Sequence, residues 1–271
     1  MAVISVAELA ERLEDPDVIV CDVRFYLDDL DRGRREYDAA HLPHARFVDL
    51  HHELAGEDGG GRHPLPTVQQ FGELLGRLGV QPSSMVIAYD SAGGATASRL
   101  WWMLRSVGHG RAAVLDGGLP AWVEAGHAVT AEVPVVATTQ YPVAPEWTGI
   151  VDAEAVAQSL DFGGTVVDAR APERFRGDHE PIDARAGHIP GAINRFHGDT
   201  VGADGLHLST PEIAQQFVGV GSNAIVYCGS GVTACHTLLA MSTVGLLGAR
   251  LYPGSWSDWS GDADRPVATG N

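Results

Sequence analysis

Short, mostly apolar runs alternate along this chain with longer stretches whose apolar residues recur three and four positions apart. The runs at 18–23, 86–89, 166–167 and 224–227 are rich in β-branched residues and read as buried strands. The stretch from Val232 to Leu247 reads as a helix, and others carry their own start signals. Ser5 with Glu8, ahead of Leu9 to Leu13, and Thr67 with Gln70, ahead of Phe71 to Leu78, make capping-box pairs. Thr210 followed by Pro211 opens a helix running to about Val218. Strand runs alternating with helical patterns predict an α/β fold, its sheets mostly parallel with helices on both faces.

The pattern is written twice. Val20-Cys21-Asp22-Val23-Arg24 answers to Val166-Val167-Asp168-Ala169-Arg170 at an offset of 146 residues, and His41-Leu42-Pro43 to His188-Ile189-Pro190 at 147. Val86 to Asp90 answers to Ala224 to Cys228 at 138, and Asp116-Gly117-Gly118-Leu119-Pro120-Ala121-Trp122 to Pro253-Gly254-Ser255-Trp256-Ser257-Asp258-Trp259 at 137. A constant order with one change of length predicts two homologous domains, expected over 1–130 and 148–271. Between them, 131–147 holds three prolines, few charges and no clear period, and reads as a linker. His41 and His188, present in both halves, are expected to serve structure.

Composition narrows the classes of function. A chain of 271 residues, 45% hydrophobic, can bury one large core or two ordinary ones. Its net charge of −17, from 18 basic and 35 acidic side chains, disfavours nucleic acid and anionic membranes as partners. Three cysteines without a CxxC pair fit a reducing compartment. With no basic leader and no long apolar span, the expected location is the cytoplasm. Any anion site must then draw its positive potential locally, from loop amides and a few arginines.

The chemistry concentrates at Cys228-Gly229-Ser230-Gly231-Val232-Thr233-Ala234, where a strand ends and a helix begins. Gly229 and Gly231 let successive N–H groups curl around one point, and the new helix adds its free N–H groups and dipole. Such a cradle favours a thiolate, so Cys228 is the candidate nucleophile. Cys21, inside a strand run, and Cys235, two turns along the helix, read as small buried hydrophobes. At the place of Cys228 the first half has Asp90, which carries no transferable atom, so only the second half reads as chemically competent. His51, His52 and His63 lack zinc-like spacing, and Trp101 and Trp102 read as core.

Taken together, the tandem arrangement, the Asp-x-Arg and His-x-Pro-Gly-Ala patterns, Cys-Gly-Ser-Gly-Val-Thr-Ala and Asp-Gly-Gly-x-Pro-x-Trp resemble two-domain rhodanese-type sulfurtransferases over nearly the whole chain. The loop looks like that of 3-mercaptopyruvate sulfurtransferases; thiosulfate-using relatives tend to carry basic side chains where Gly229 and Ser230 stand. The resemblance implies two rhodanese-like domains, the first inactive, and a persulfide on Cys228 held by the loop from Gly229 through Gly231, Val232 and Thr233. It implies no metal or organic cofactor. The outer sulfur would pass from a small anionic donor to a small thiol, a thioredoxin-like protein or cyanide. Arg174 matches the arginine assigned to the donor's carboxylate. The second arginine usual nine residues on is Asp183 here, with Arg176 and Arg185 as candidate substitutes. A proposed serine–histidine–aspartate relay matches at Ser230 and His63, while its acid position falls near His51, beside Asp49 and Glu53.

Three other readings compete. Thiosulfate could replace mercaptopyruvate as donor. A cysteine phosphatase shares the strand–cradle–helix logic, but it needs an arginine where Ala234 stands. A persulfide carrier or redox sensor, loaded by a partner protein, would need the same loop without turnover.

Overall fold

The computed structural model describes residues 2–142 and 145–271. Met1, and Val143 and Ala144 of the expected linker, lie outside the described residues. The chain divides into two compact units. Unit 1 comprises 1–56, 66–148 and 202–207; unit 2 comprises 57–65, 149–201 and 208–271.

Unit 1 is built on five strands, β1 (Val3–Ile4), β2 (Val18–Asp22), β3 (Arg46–Phe47), β4 (Met85–Tyr89) and β5 (Ala112–Leu115). They are ordered β1-β5-β4-β2-β3, and every pairing is parallel. Its helices are α1 (Val6–Ala10), α2 (Arg32–Ala39), α3 (Leu50–Glu53), α4 (Val68–Arg77), α5 (Ala97–Ser106) and α6 (Gly118–Glu124). Both expected capping boxes form, Ser5 with Glu8 on α1 and Thr67 with Gln70 on α4. Leu9, Val20, Tyr37, Ile87, Tyr89, Leu115 and Trp122 make the core on which strands and helices close. Trp101 and Trp102 are buried in α5.

Thr139 and Trp147, from the segment expected to link two halves, are held to unit 1. Thr139 N–H donates to Gly76 O at 2.9 Å and its hydroxyl to Val80 O at 2.7 Å, while Trp147 Nε1 donates to Pro66 O at 2.8 Å and its ring rests against Phe71.

Unit 2 repeats the plan with four parallel strands, β6 (Val166–Asp168), β7 (Ile193–Asn194), β8 (Ile225–Tyr227) and β9 (Arg250–Leu251), in the order β7-β6-β8-β9. Its helices are α7 (Ala153–Asp161), α8 (Pro172–Arg176), α9 (Thr210–Gln216), α10 (Thr233–Thr243) and α11 (Ser255–Gly261), with a 3-10 turn over His197–Thr200. Helix α9 is capped one residue earlier than expected, by a Ser209–Glu212 box. Helix α10 ends at Thr243, short of Leu247, because Gly245 turns the chain at φ +83°.

The repeated motifs are staples of these sheets. Asp22 and Asp168 end equivalent strands and grip Arg24 and Arg170 at 2.6 Å, fully buried in each unit. The arginines in turn reach the carbonyls of Ala40 and Gly187. His41 stacks on Tyr37 and bonds its carbonyl at 2.6 Å; His188 does the same on Phe175 at 2.8 Å.

Candidate active site

Cys228 stands at the carboxyl end of β8, between β6 and β9, where the chain leaves the sheet for α10. This end of a parallel strand is the usual seat of ligands in α/β folds. Gly231 has φ +76°, and a Cβ there would lie 2.5 Å from Pro253 O, so the loop closes only with glycine at this point.

Helix α11 turns the loop's carbonyls away from the cysteine. Trp256 N–H donates to Cys228 O and Ser257 N–H to Gly229 O, both at 2.9 Å. Cys228 N–H goes to Ser255 Oγ at 3.1 Å, and that hydroxyl donates to Tyr252 O at 2.9 Å. Ser255 takes φ +55°, a left-handed conformation that costs an L-residue roughly 1–2 kcal/mol. The matching position of unit 1 is Gly118, at φ +57°, beside a Leu119 N–H that donates to Asp90 O at 2.9 Å. Position for position, Ser255 and Gly118 share this left-handed conformation, although the glycines before them differ, Gly117 at φ +69° and Gly254 at φ −61°; unit 2 accepts the strain of a serine to gain a hydroxyl behind the cysteine.

With those carbonyls pinned, the N–H groups of Gly229, Ser230, Val232 and Thr233 have no acceptor among the described residues. Unit 1 displays what such donors hold. Asp90, at the end of β4, is 1% exposed, and its carboxylate accepts the N–H groups of Ala92, Gly94, Thr96 and Ala97 at 2.8–2.9 Å and the Thr96 hydroxyl at 3.0 Å. Asp90 is itself the anion in the cradle.

The other cysteines are set apart by their surroundings. Burial pushes the Cys21 thiol up to about 12, which leaves it unreactive. Cys235 donates its thiol to Gly231 O at 3.3 Å and braces the loop from within α10. Ala234, where a phosphatase needs arginine, is fully buried.

Ser230 and His63, 167 residues apart, meet at 2.9 Å between Oγ and Nδ1, both groups buried. The acid positions of the proposed relay belong to unit 1. Asp49 caps α3 through His52 N–H and touches the His52 ring at 3.2 Å, while Glu53 accepts the Asp49 N–H and pairs with Arg77. His51 rests edge-on against His52. Among the described residues, no three His, Cys, Asp or Glu side chains gather as a metal set.

The Arg174 guanidinium lies near Gly229 of the loop. A Cβ on Gly229 would meet Arg62 Nη2 at 3.1 Å and Arg174 Nη1 and Nη2 at 3.5 and 3.7 Å. Glu180 holds Arg174 through Nε at 3.1 Å and Nη2 at 2.7 Å. Burial works to raise the Glu180 carboxyl's pKa, but the Arg174 guanidinium and the Asp183 and Ile182 N–H groups outweigh it, leaving the pKa below the ordinary 4.5. Asp183 bridges Arg62 Nη1 at 2.7 Å and Arg174 Nη2 at 3.1 Å.

Neither expected substitute for a second arginine reaches this place. Arg176 is half exposed and pairs with Asp178, and Arg185 ties down the carbonyls of Trp259, Ser260, Asp262 and Arg265. Arg62 was not anticipated from the sequence, and neither was Ser255. The available signals were slight: Arg62 adjoins His63 in a glycine-rich stretch, and Ser255 replaces one glycine of a repeated Gly-Gly pair.

Comparison with known proteins agrees with the duplicated architecture. The model of the Rhodanese-like domain matches residues 5–125 and 152–262. A Pseudomonas aeruginosa protein named "Probable 3-mercaptopyruvate sulfurtransferase" is 41% identical over 274 residues, covering 97% of this chain and 96% of its own. The thiosulfate sulfurtransferase of Gallus gallus is 34% identical over 250 residues, covering 89% and 85%. The solved structure of 3-mercaptopyruvate sulfurtransferase from Leishmania major superposes with a TM-score of 0.87 at 29% identity, covering 98% of this chain and 76% of that one. Two parallel-sheet units, one cradle filled by its own carboxylate and the other centred on a cysteine, together with these matches, establish that the chain belongs to the rhodanese family, with the rhodanese-like domain present in two copies.

Proposed function

We propose that this chain is a sulfurtransferase that takes the sulfur of 3-mercaptopyruvate onto Cys228 and hands it to a thiol or to cyanide. The observation that carries the reading is the contrast between the two loops. Asp90 fills the cradle of unit 1, whereas the cradle of unit 2 holds a cysteine and open N–H groups. Unit 1 is chemically silent in this reading.

In the first half-reaction Cys228 thiolate attacks the donor's sulfur. An S–S bond forms, the C–S bond breaks with its electron pair going to carbon, and the pyruvate enolate takes up a proton. The open N–H groups hold the negative charge of the resulting persulfide, as those of unit 1 hold a carboxylate. In the second half-reaction an acceptor thiolate, from a small thiol or a thioredoxin-like protein, attacks the outer sulfur and returns Cys228 as thiolate; cyanide does so as thiocyanate. Ser230, held by His63, lies in the loop where it can donate to the donor or the persulfide. Val232 and Thr233 supply backbone N–H groups at the start of α10. A reducing compartment such as the cytoplasm keeps the cysteine in this cycle.

Mercaptopyruvate is favoured as donor because Gly229 and Ser230 put no basic side chain in the loop, and positive charge comes from outside it. Thiosulfate is the second reading, kept by the 34% identity to the Gallus gallus enzyme. The test measures pyruvate release from mercaptopyruvate and sulfite release from thiosulfate, with one acceptor, in wild type and Cys228→Ser. Pyruvate release that the substitution abolishes, with a 32 Da gain on donor-loaded wild type, is expected. Better kcat/KM for thiosulfate would reverse the choice of donor. A persulfide loaded only by a partner protein, without turnover, would replace the enzyme by a carrier.

A further inference from the structure

Arg62 and Arg174 come from distant parts of the sequence, yet both place guanidinium nitrogens against Gly229, next to the nucleophile. Their hydrogen bonds divide in the same manner. Arg62 spends Nη1 on Asp183, and among the described residues its Nε and Nη2 meet no acceptor. Arg174 spends Nε and Nη2 on Glu180 and Asp183, leaving Nη1 without one. The two open groups, Arg62 Nη2 and Arg174 Nη1, are the nearest of their side chains to the Gly229 face. Asp183 accepts from both arginines and sets their spacing. Both arginines are largely buried, with side chains 23% and 17% exposed, so their charge is poorly screened by solvent.

We propose that Arg62 is the second donor-binding arginine of this site: with Arg174 it forms a guanidinium fork over Gly229 that takes the donor's carboxylate, and Asp183 fixes the fork's width. An aspartate at position 183 thereby ceases to be a defect. It exchanges a local arginine for one delivered by the 57–65 segment, which belongs to unit 2. Gly229 is small because the volume its side chain would fill is where the fork opens.

The identity of the donor rests on the sulfurtransferase reading; the fork itself can be tested without it. Iodoacetate and iodoacetamide alkylate a thiolate by the same displacement of iodide, forming a C–S bond, but only iodoacetate carries a carboxylate. In wild type Cys228 is expected to react with iodoacetate faster, relative to iodoacetamide, than a free thiol does. Arg62→Met should lower the iodoacetate rate about tenfold, the scale of a lost charge-assisted hydrogen bond, and the iodoacetamide rate less than about twofold. Arg62→Lys keeps the charge without the fork, should recover part of the selectivity, and serves if the methionine variant does not fold. With mercaptopyruvate, Arg62→Met should raise KM about tenfold while kcat moves less than about threefold. Loss of both alkylation rates together, or of neither, in a folded variant overturns the proposal. Wild type that ignores mercaptopyruvate but loses iodoacetate selectivity with Arg62 refutes the donor assignment and supports the fork.

Discussion

Replacing Asp90 with alanine removes the anion from the cradle of unit 1. Four backbone N–H groups then lose their acceptor, while the Thr96 hydroxyl keeps the Val23 carbonyl at 2.7 Å. Ala92 and Thr96 reach solvent and rehydrate, whereas Gly94 and Ala97 are buried and do not. At about 1.5–2.5 kcal/mol for each stranded donor, the two buried ones set the expected loss at about 3–5 kcal/mol. Asp90→Asn keeps one oxygen but turns an amide NH2 on the other pair of donors, so about half that loss is expected. Urea unfolding followed by tryptophan fluorescence is the assay, since Trp101, Trp102, Trp122 and Trp147 all belong to unit 1. With an m-value of about 2 kcal/mol/M, the Asp90→Ala midpoint should fall by about 2 M. Formate, the missing carboxylate as a free ion, should restore part of that loss, the midpoint rising with the logarithm of its concentration beyond any rise in wild type. Turnover per folded molecule should be retained. A midpoint within about 0.3 M of wild type, equivalent to under about 0.6 kcal/mol, would refute the account of Asp90 as the resident anion.

At Ser255 backbone strain and hydrogen bond pull in opposite directions: Ser255→Ala keeps the left-handed residue but strands the Cys228 N–H, and should lose about 1–2 kcal/mol by denaturant unfolding. Ser255→Gly relieves the strain and should be the more stable of the two, so the reverse order would sink this reading of the turn. For Glu180, whose carboxyl is more acidic when folded, the pair with Arg174 contributes stability that is fully present above 4.5 and is lost as pH falls through the folded value. The difference in urea midpoint between wild type and Glu180→Gln should accordingly be constant above about pH 5.5 and shrink below 4.5; a difference that grows on acidification would contradict the assignment.

The strands, the duplication and the cysteine-centred loop were legible because each depends on local pattern. β-branched runs mark β2, β4, β6 and β8, Gly231 marks a turn only glycine can make, and the repeat brought Cys228 face to face with Asp90. What stayed hidden depends on contacts between distant residues. No period or spacing says that Arg62, 112 residues before Arg174, shares Asp183 with it, so the missing second arginine was sought nearby at Arg176 and Arg185. Likewise 131–147 reads as a linker from its prolines and lack of period, and no local pattern reveals the hydrogen bonds that tie Thr139 and Trp147 to unit 1. Ser255 was overlooked since its value lies in a φ angle, which a serine in the sequence does not advertise.

The two hydrogen bonds from α11 to the carbonyls of Cys228 and Gly229 bear on timing. They fix the peptide dipoles of the loop before any charge reaches the sulfur, so in the proposed cycle thiolate and persulfide would enter a frame already set. Control of the cysteine therefore reaches behind it, to residues that never meet a substrate. Altering the start of α11 would retune sulfur chemistry through the backbone alone, and the pocket's side chains would register no change.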